Sequence, residues 1–151
     1  MKKIKDLLDH IFIDGLSGMA QGLFATLIIG TIIQQIGTLI GGPRGDMIFA
    51  VGKVAAALTG AGIGVGVAAK FKESYLVVVS AATAGMVGAF ASKLLAGTVL
   101  VDGTMVFAGP GEPLGAFLAA YIGIECGHMV AGRTKVDILV TPIVTIGTGS
   151  L

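Results

Sequence analysis

The chain has 151 residues, 54% hydrophobic and 13% charged, with 25 glycines and a net charge of +1; its mean hydropathy is +0.94. Soluble domains carry about 25% charged residues, so the composition excludes an ordinary water-soluble fold and makes the lipid bilayer the first partner. The near-zero net charge and the lack of a basic tract with interleaved aromatics exclude a nucleic-acid partner.

Taken in order, Met1 to Asp14 (MKKIKDLLDHIFID) sets Ile4, Leu7, Leu8 and Ile11 at helical spacing between Lys and Asp, which predicts an amphipathic helix lying in the membrane interface. Residues 15–40 are uncharged and about 26 long, enough to span with tilt. Gln21, Gln34 and Gln35 within them can bond across helices or line a cavity. GGPRGD over 41–46 breaks that helix, and Asp46 can cap the next. A second span is predicted over 47–69; it carries Lys53 and the run TGAGIGVGVAA, whose small residues suit close contact with another helix. Lys70, Lys72 and Glu73 form a short charged loop before a third span over 75–101, which contains Lys93. A loop over 102–112 without basic residues leads to a fourth span over 113–131, followed by the basic Arg133 and Lys135. The last stretch, ILVTPIVTIGTGSL over 138–151, has only 14 residues and contains Pro142, so it reads as a truncated or re-entrant element. The expected fold class is all-α and polytopic: four spans, a partial fifth element and an N-terminal amphipathic helix.

Loop charge supports this order. Lys2, Lys3, Lys5, Lys70, Lys72, Arg133 and Lys135 fall on one side and only Arg44 on the other, which places the N-terminus in the cytoplasm. The segment Gly18–Thr31 also resembles Gly85–Thr98 at an offset of 67, and the same offset carries Gly42-Pro43 onto Gly109-Pro110. These matches suggest a parallel internal repeat, with spans one and two duplicated as three and four.

The chemistry concentrates in Gly109–Asp137, GPGEPLGAFLAAYIGIECGHMVAGRTKVD. A carboxylate inside a span costs about 2.5–3.5 kcal/mol on insertion scales, so Glu125 is the first functional candidate. His128 lies three residues on and Tyr121 four back, giving one polar stripe on a helix. Lys53 and Lys93 fall roughly 10–14 Å below the outer surface and Glu125 roughly 12 Å above the inner one. In a core about 30 Å thick, a Lys–Glu contact is then within reach of the lysine stems. Thr141 precedes Pro142, where a broken helix would expose backbone polar groups. Glu125, His128, Lys93, Lys53 and Thr141 are therefore the candidate solute-binding residues. The plainer alternative is that Glu125 and His128 bond a neighbouring helix while the lysines snorkel outward.

Other sites are not indicated. GAGIGVG lacks the strand that precedes a dinucleotide fingerprint, and no phosphate-binding Walker sequence occurs. His10, His128 and the single Cys126 make no zinc site, and Cys126 beside Glu125 is a poor nucleophile. No cofactor, metal or enzymatic centre is expected.

DGLSGMAQGLFATLIIGTIIQQIG, followed by GGPRGDMIFAVGKVAAALTGAGIGVGVA, resembles the N-terminal half of a bacterial phosphotransferase-system IIC-type permease, of the group assigned to sugar transport. The resemblance covers essentially the whole chain. It implies a bacterial inner-membrane carrier, usually dimeric, that binds a sugar or related polar solute between transmembrane elements and alternates access. Relatives use an intramembrane Glu and a His near the solute, roles that Glu125 and His128 could fill. The chain is about half the length such a permease would have and has no phosphorylatable cysteine domain. A second half or a second copy is thus an expected partner, and vectorial phosphorylation is not supported by these residues alone. The expected function is transport of a small polar solute. A proton- or ion-coupled channel or carrier and a non-transporting docking subunit are the alternatives.

Overall fold

The computed structural model describes residues 2–98, 100–106, 109–132 and 137–150, with backbone alone at 137 and 138. It is helical except for one small hairpin, and its helices are apolar, as a membrane-embedded chain requires. The protein is an all-α membrane protein.

The first helix, α1 (Lys2–Ile40), is 39 residues long and so extends roughly 58 Å at 1.5 Å per residue. Residues 2–14 are helical, and the helix continues into residues 15–40 without a break, because no proline or left-handed glycine separates them. Two π-helical turns, His10–Gly15 and Phe24–Ile28, rotate the faces of α1 along its length. Gly41 ends the helix at φ 66°, a left-handed conformation that glycine adopts without cost.

The chain then returns as α2 (Gly42–Ala57), with Pro43 in its first turn where the missing N–H costs nothing. Leu58 breaks the helix, and α3 (Thr59–Lys70) continues at a bend of 51°. Thr59 Oγ1 donates to the Ala56 carbonyl at 2.6 Å across this bend, as a second donor beside a backbone N–H.

Next comes α4 (Tyr75–Ala89). The helix predicted over 75–101 stops there: Phe90 leaves helical geometry, and the Ala89 carbonyl accepts from the Glu112 N–H at 2.7 Å. Lys93 consequently sits on a separate five-residue helix, α5 (Ala91–Leu95). Beyond it, β1 (Leu100–Val101) pairs antiparallel with β2 (Thr104–Met105) around Asp102-Gly103, both at positive φ. This is the two-residue Asp-Gly turn that favours hairpins.

Two helices complete the bundle, α6 (Pro113–Val130) and α7 (Asp137–Ser150). The final stretch, expected as truncated or re-entrant, is a helix containing Pro142 that packs on α6 and α4. The suggested 67-residue repeat has no common backbone course. Gly18–Thr31 lies within α1, whereas the stretch matched to it leaves helix after Ala89 and again after Leu95. The basic residues Arg133 and Lys135, used in the loop-charge argument, lie outside the described residues.

Glycine sets the packing. Gly18 of α1 faces Gly66 of α3, and Gly22 faces Gly62; on the α1–α2 side, Gly30 faces Gly52 and Gly37 faces Gly45. At each of these contacts a methyl group would meet the opposite backbone, so the helices approach as closely as membrane interfaces with small residues allow. Ile63, Val67, Val77, Phe90, Phe117 and Ile124 fill the core among α3, α4 and α6. Among the described residues two helices are long and apolar enough to cross a membrane, α1 and α6, with the bent α2–α3 pair as a third; α4 and the apolar part of α7 are shorter.

Candidate functional site

Glu125 lies two-thirds of the way along α6, twelve residues from its start at Pro113. That sets it roughly 18 Å from the end of the bundle where Glu112 meets Ala89. Its partner is neither lysine. His10 Nε2, carried by the first π turn of α1, donates to Glu125 Oε1 at 2.9 Å. The two side chains are 36% and 44% exposed.

Aromatic rings enclose this pair. Phe71, at the end of α3, stacks on the His10 imidazole at 3.8 Å and 21°. Tyr121, one helical turn before Glu125, meets Phe71 edge-on at 6.1 Å and lies 6.3 Å from His10. Phe117, a further turn back, stacks on Tyr121 at 6.2 Å. The π turn positions His10 because Gly15, at its end, is buried against the Phe117 ring, where a methyl group would come within 3.1 Å of the ring.

A second pair lies one turn further along α6. His128 Nδ1 donates to Glu73 Oε2 at 2.8 Å, with His128 largely exposed and Glu73 nearly buried. Glu125 and His128 thus share a face and an end of the bundle, but each is held by a residue from another element. The short loop at Glu73 and the N-terminal part of α1 are tied to α6 by these two contacts.

The remaining candidates lie elsewhere. Lys93 is beyond the far end of α4, its ammonium 5.4 Å from the Phe90 ring. Lys53 is on α2, over the Phe49 ring at 6.0 Å. The Lys–Glu contact anticipated from depth does not form, because both lysines sit toward the end of the bundle opposite Glu125. Thr141 is fully buried on α7; Thr145, one turn on, is also buried, and its hydroxyl has no partner where it packs on Gly127. No group of three or more His, Cys, Asp or Glu side chains able to hold a metal occurs among the described residues. Cys126 is a half-buried free thiol.

Sequence reasoning passed over His10, Glu73 and Phe71. The signal for the first two was present: loop charge puts Glu73 and the N-terminal helix at the face toward which Glu125 and His128 point, and each histidine there requires a partner.

A family model described as "Phosphotransferase system, EIIC" matches residues 13–151, nearly the whole chain. The chain belongs to that family. As an EIIC component it is a membrane-embedded part of a sugar-transporting phosphotransferase system, located in the inner membrane. Neither the curated proteins nor the solved structures include a match to it.

Proposed function

We propose that this EIIC chain binds a small polar solute, a sugar or a close relative, at Glu125, and that the site opens through the His10 contact. The supporting observation is a carboxylate on a spanning helix, half-exposed, held by one histidine and walled by Phe71 and Tyr121. A carboxylate accepts hydrogen bonds from neighbouring sugar hydroxyls, and aromatic faces take the apolar face of a sugar ring. His10 satisfies the carboxylate when no solute is present. Solute hydroxyls would replace that bond, releasing the N-terminal part of α1 from α6 and coupling occupancy to movement of α1. His128–Glu73 then serves as a hinge tie at the same end.

The N-terminus is assigned to the cytoplasm, supported by Lys2, Lys3, Lys5, Lys70 and Lys72 at the Glu125 end. A second copy or a further set of helices covers the exposed apolar residues of the α1–α2 hairpin, among them Leu39, Met47 and Val54. A proton-linked carrier is the second reading, favoured by the same His10–Glu125 pair, since both groups can exchange a proton.

Solute counterflow into proteoliposomes separates these readings. Saturable exchange of a radiolabelled sugar that disappears in Glu125→Gln supports sugar binding at Glu125. Proton flux without saturable exchange of any sugar favours the second reading, and exchange unchanged in Glu125→Gln overturns the assignment of Glu125.

A further inference from the structure

At the end of the bundle away from Glu125, α1, α2 and the Gly109-Pro110 segment enclose a cleft of about 230 Å³ lined by Thr31, Gln34, Lys53 and Ala56 among others. Lys53 is the only charged side chain of this lining. Among the described residues no carboxylate lies within ion-pair distance of its ammonium, whose recorded contact is the Phe49 ring. A cation on an apolar helix without an internal counter-charge calls for an anion from outside.

The polar groups beside it are arranged to receive more than a bare ion. Gly52, next to Lys53, has no side chain, and the Gln34 stem occupies that space: a methyl group at 52 would come within 2.7 Å of Gln34 Cγ. Gln34 is thereby held alongside Lys53 with both an N–H₂ donor and a carbonyl acceptor. Thr31 Oγ1 donates its proton to the Leu27 carbonyl at 2.8 Å, so its lone pairs are what it offers to the cleft. The set comprises donors for an anionic oxygen, from Lys53 and Gln34, and acceptors for hydroxyl protons, from Gln34 and Thr31.

We infer that this cleft binds a polyhydroxylated anion, its carboxylate or phosphate on Lys53 and its hydroxyls on Gln34 and Thr31. The volume is below the roughly 300–1,000 Å³ of pockets for drug-sized ligands, which restricts the ligand to about one sugar ring or one headgroup. Such chemistry comes either from an acidic sugar in solution or from an anionic lipid headgroup carrying hydroxyls. The site is separate from the one at Glu125, so it stands or falls independently of that assignment.

The test is equilibrium binding to the detergent-purified full chain of gluconate, glucose 6-phosphate and neutral glucose, and of short-chain phosphatidylglycerol against phosphatidylcholine in micelles. A hydrogen bond to a charged group contributes about 1.5–3 kcal/mol, so one of the anions is expected to bind at least about tenfold tighter than its neutral counterpart. Each comparison is made in a Glu125→Gln background, so that sugar held at Glu125 does not contribute: there Lys53→Met should remove that preference and Lys53→Arg keep it, while Gln34→Ala weakens anion binding several-fold. A Lys53-dependent preference for the acidic sugars identifies a soluble ligand; one confined to phosphatidylglycerol identifies a lipid headgroup. Equal binding of anionic and neutral compounds overturns the inference. So does anion binding that survives Lys53→Met in a protein whose melting is unchanged by that substitution.

Discussion

Replacing Gly22 by alanine tests the packing that holds α1 against α3. A methyl group at 22 would meet the Gly62 carbonyl and lie 2.8 Å from the Ile63 nitrogen, both backbone atoms that cannot rotate away. Overpacking of this kind costs about 1–3 kcal/mol, and the upper value applies because the obstacle is backbone. Alanine also gains about 1 kcal/mol of helix propensity over glycine, leaving a net loss of about 2 kcal/mol. For a chain of this size that corresponds to a melting temperature lower by about 4–8 °C. Gly147→Ala is the control: nothing lies within 4 Å of the added methyl group on α7, so only the propensity gain remains and the melting temperature should rise by about 2–4 °C. Thermal denaturation of both variants in one detergent, followed by circular dichroism, reads the difference. Equal shifts of the same sign would refute the close approach of α1 and α3 at Gly22–Gly62.

A double-mutant cycle with His10→Ala and Glu125→Gln should give a coupling of about 0.5–1 kcal/mol, modest because both side chains are more than a third exposed; a coupling near zero would mean that the pair does not form. Gly111→Ala should destabilise by about 1–3 kcal/mol, since residue 111 has φ 73° and a methyl group there would be 2.6 Å from the Ala89 carbonyl; unchanged melting would contradict the junction of α4 and α6. In a Cys126→Ala background, a membrane-impermeant maleimide added to intact cells should label Thr104→Cys in the β-hairpin but not Lys3→Cys. The reverse pattern would invert the orientation.

Residue pattern alone carried the helical architecture a long way. Glycines inside apolar runs implied close helix contact, and the pairs Gly18–Gly66, Gly22–Gly62, Gly30–Gly52 and Gly37–Gly45 realise it. Gly-Gly-Pro at 41–43 marked a turn that the backbone makes at Gly41. The end of α4 was hidden, because the hydropathy of Leu94, Leu95 and Leu100 continues past Ala89. What stops the helix is a long-range bond from Glu112, which no local pattern records. The Asp102-Gly103 turn was readable and was overlooked, because the apolar residues on either side were assigned to a span. The repeat failed for a related reason: similar Gly/Ala-rich sequence takes different courses depending on what it packs against.

The candidate site was legible in part. The depth of Glu125 in an apolar helix singled it out, and the structure gives it a partner and aromatic walls. That the partner is His10 rather than a lysine follows from the unbroken length of α1, which brings an N-terminal residue to the end of α6. Lys53 and Lys93 were grouped with Glu125 by depth along the membrane normal, a coordinate that is blind to the bend between α2 and α3 and to the break after Ala89.

Solute binding at Glu125 is measured most directly by a thermal-shift screen of wild type and Glu125→Gln, purified in detergent, against neutral sugars and polyols. A ligand at 100 times its dissociation constant stabilises by about 2.7 kcal/mol, or about 5–10 °C for a chain of this size. At least one neutral sugar should produce this shift in wild type and not in Glu125→Gln, with the unliganded proteins melting within about 4 °C of each other because the His10–Glu125 pair is half-exposed. A neutral sugar that stabilises both proteins equally would contradict solute binding at Glu125.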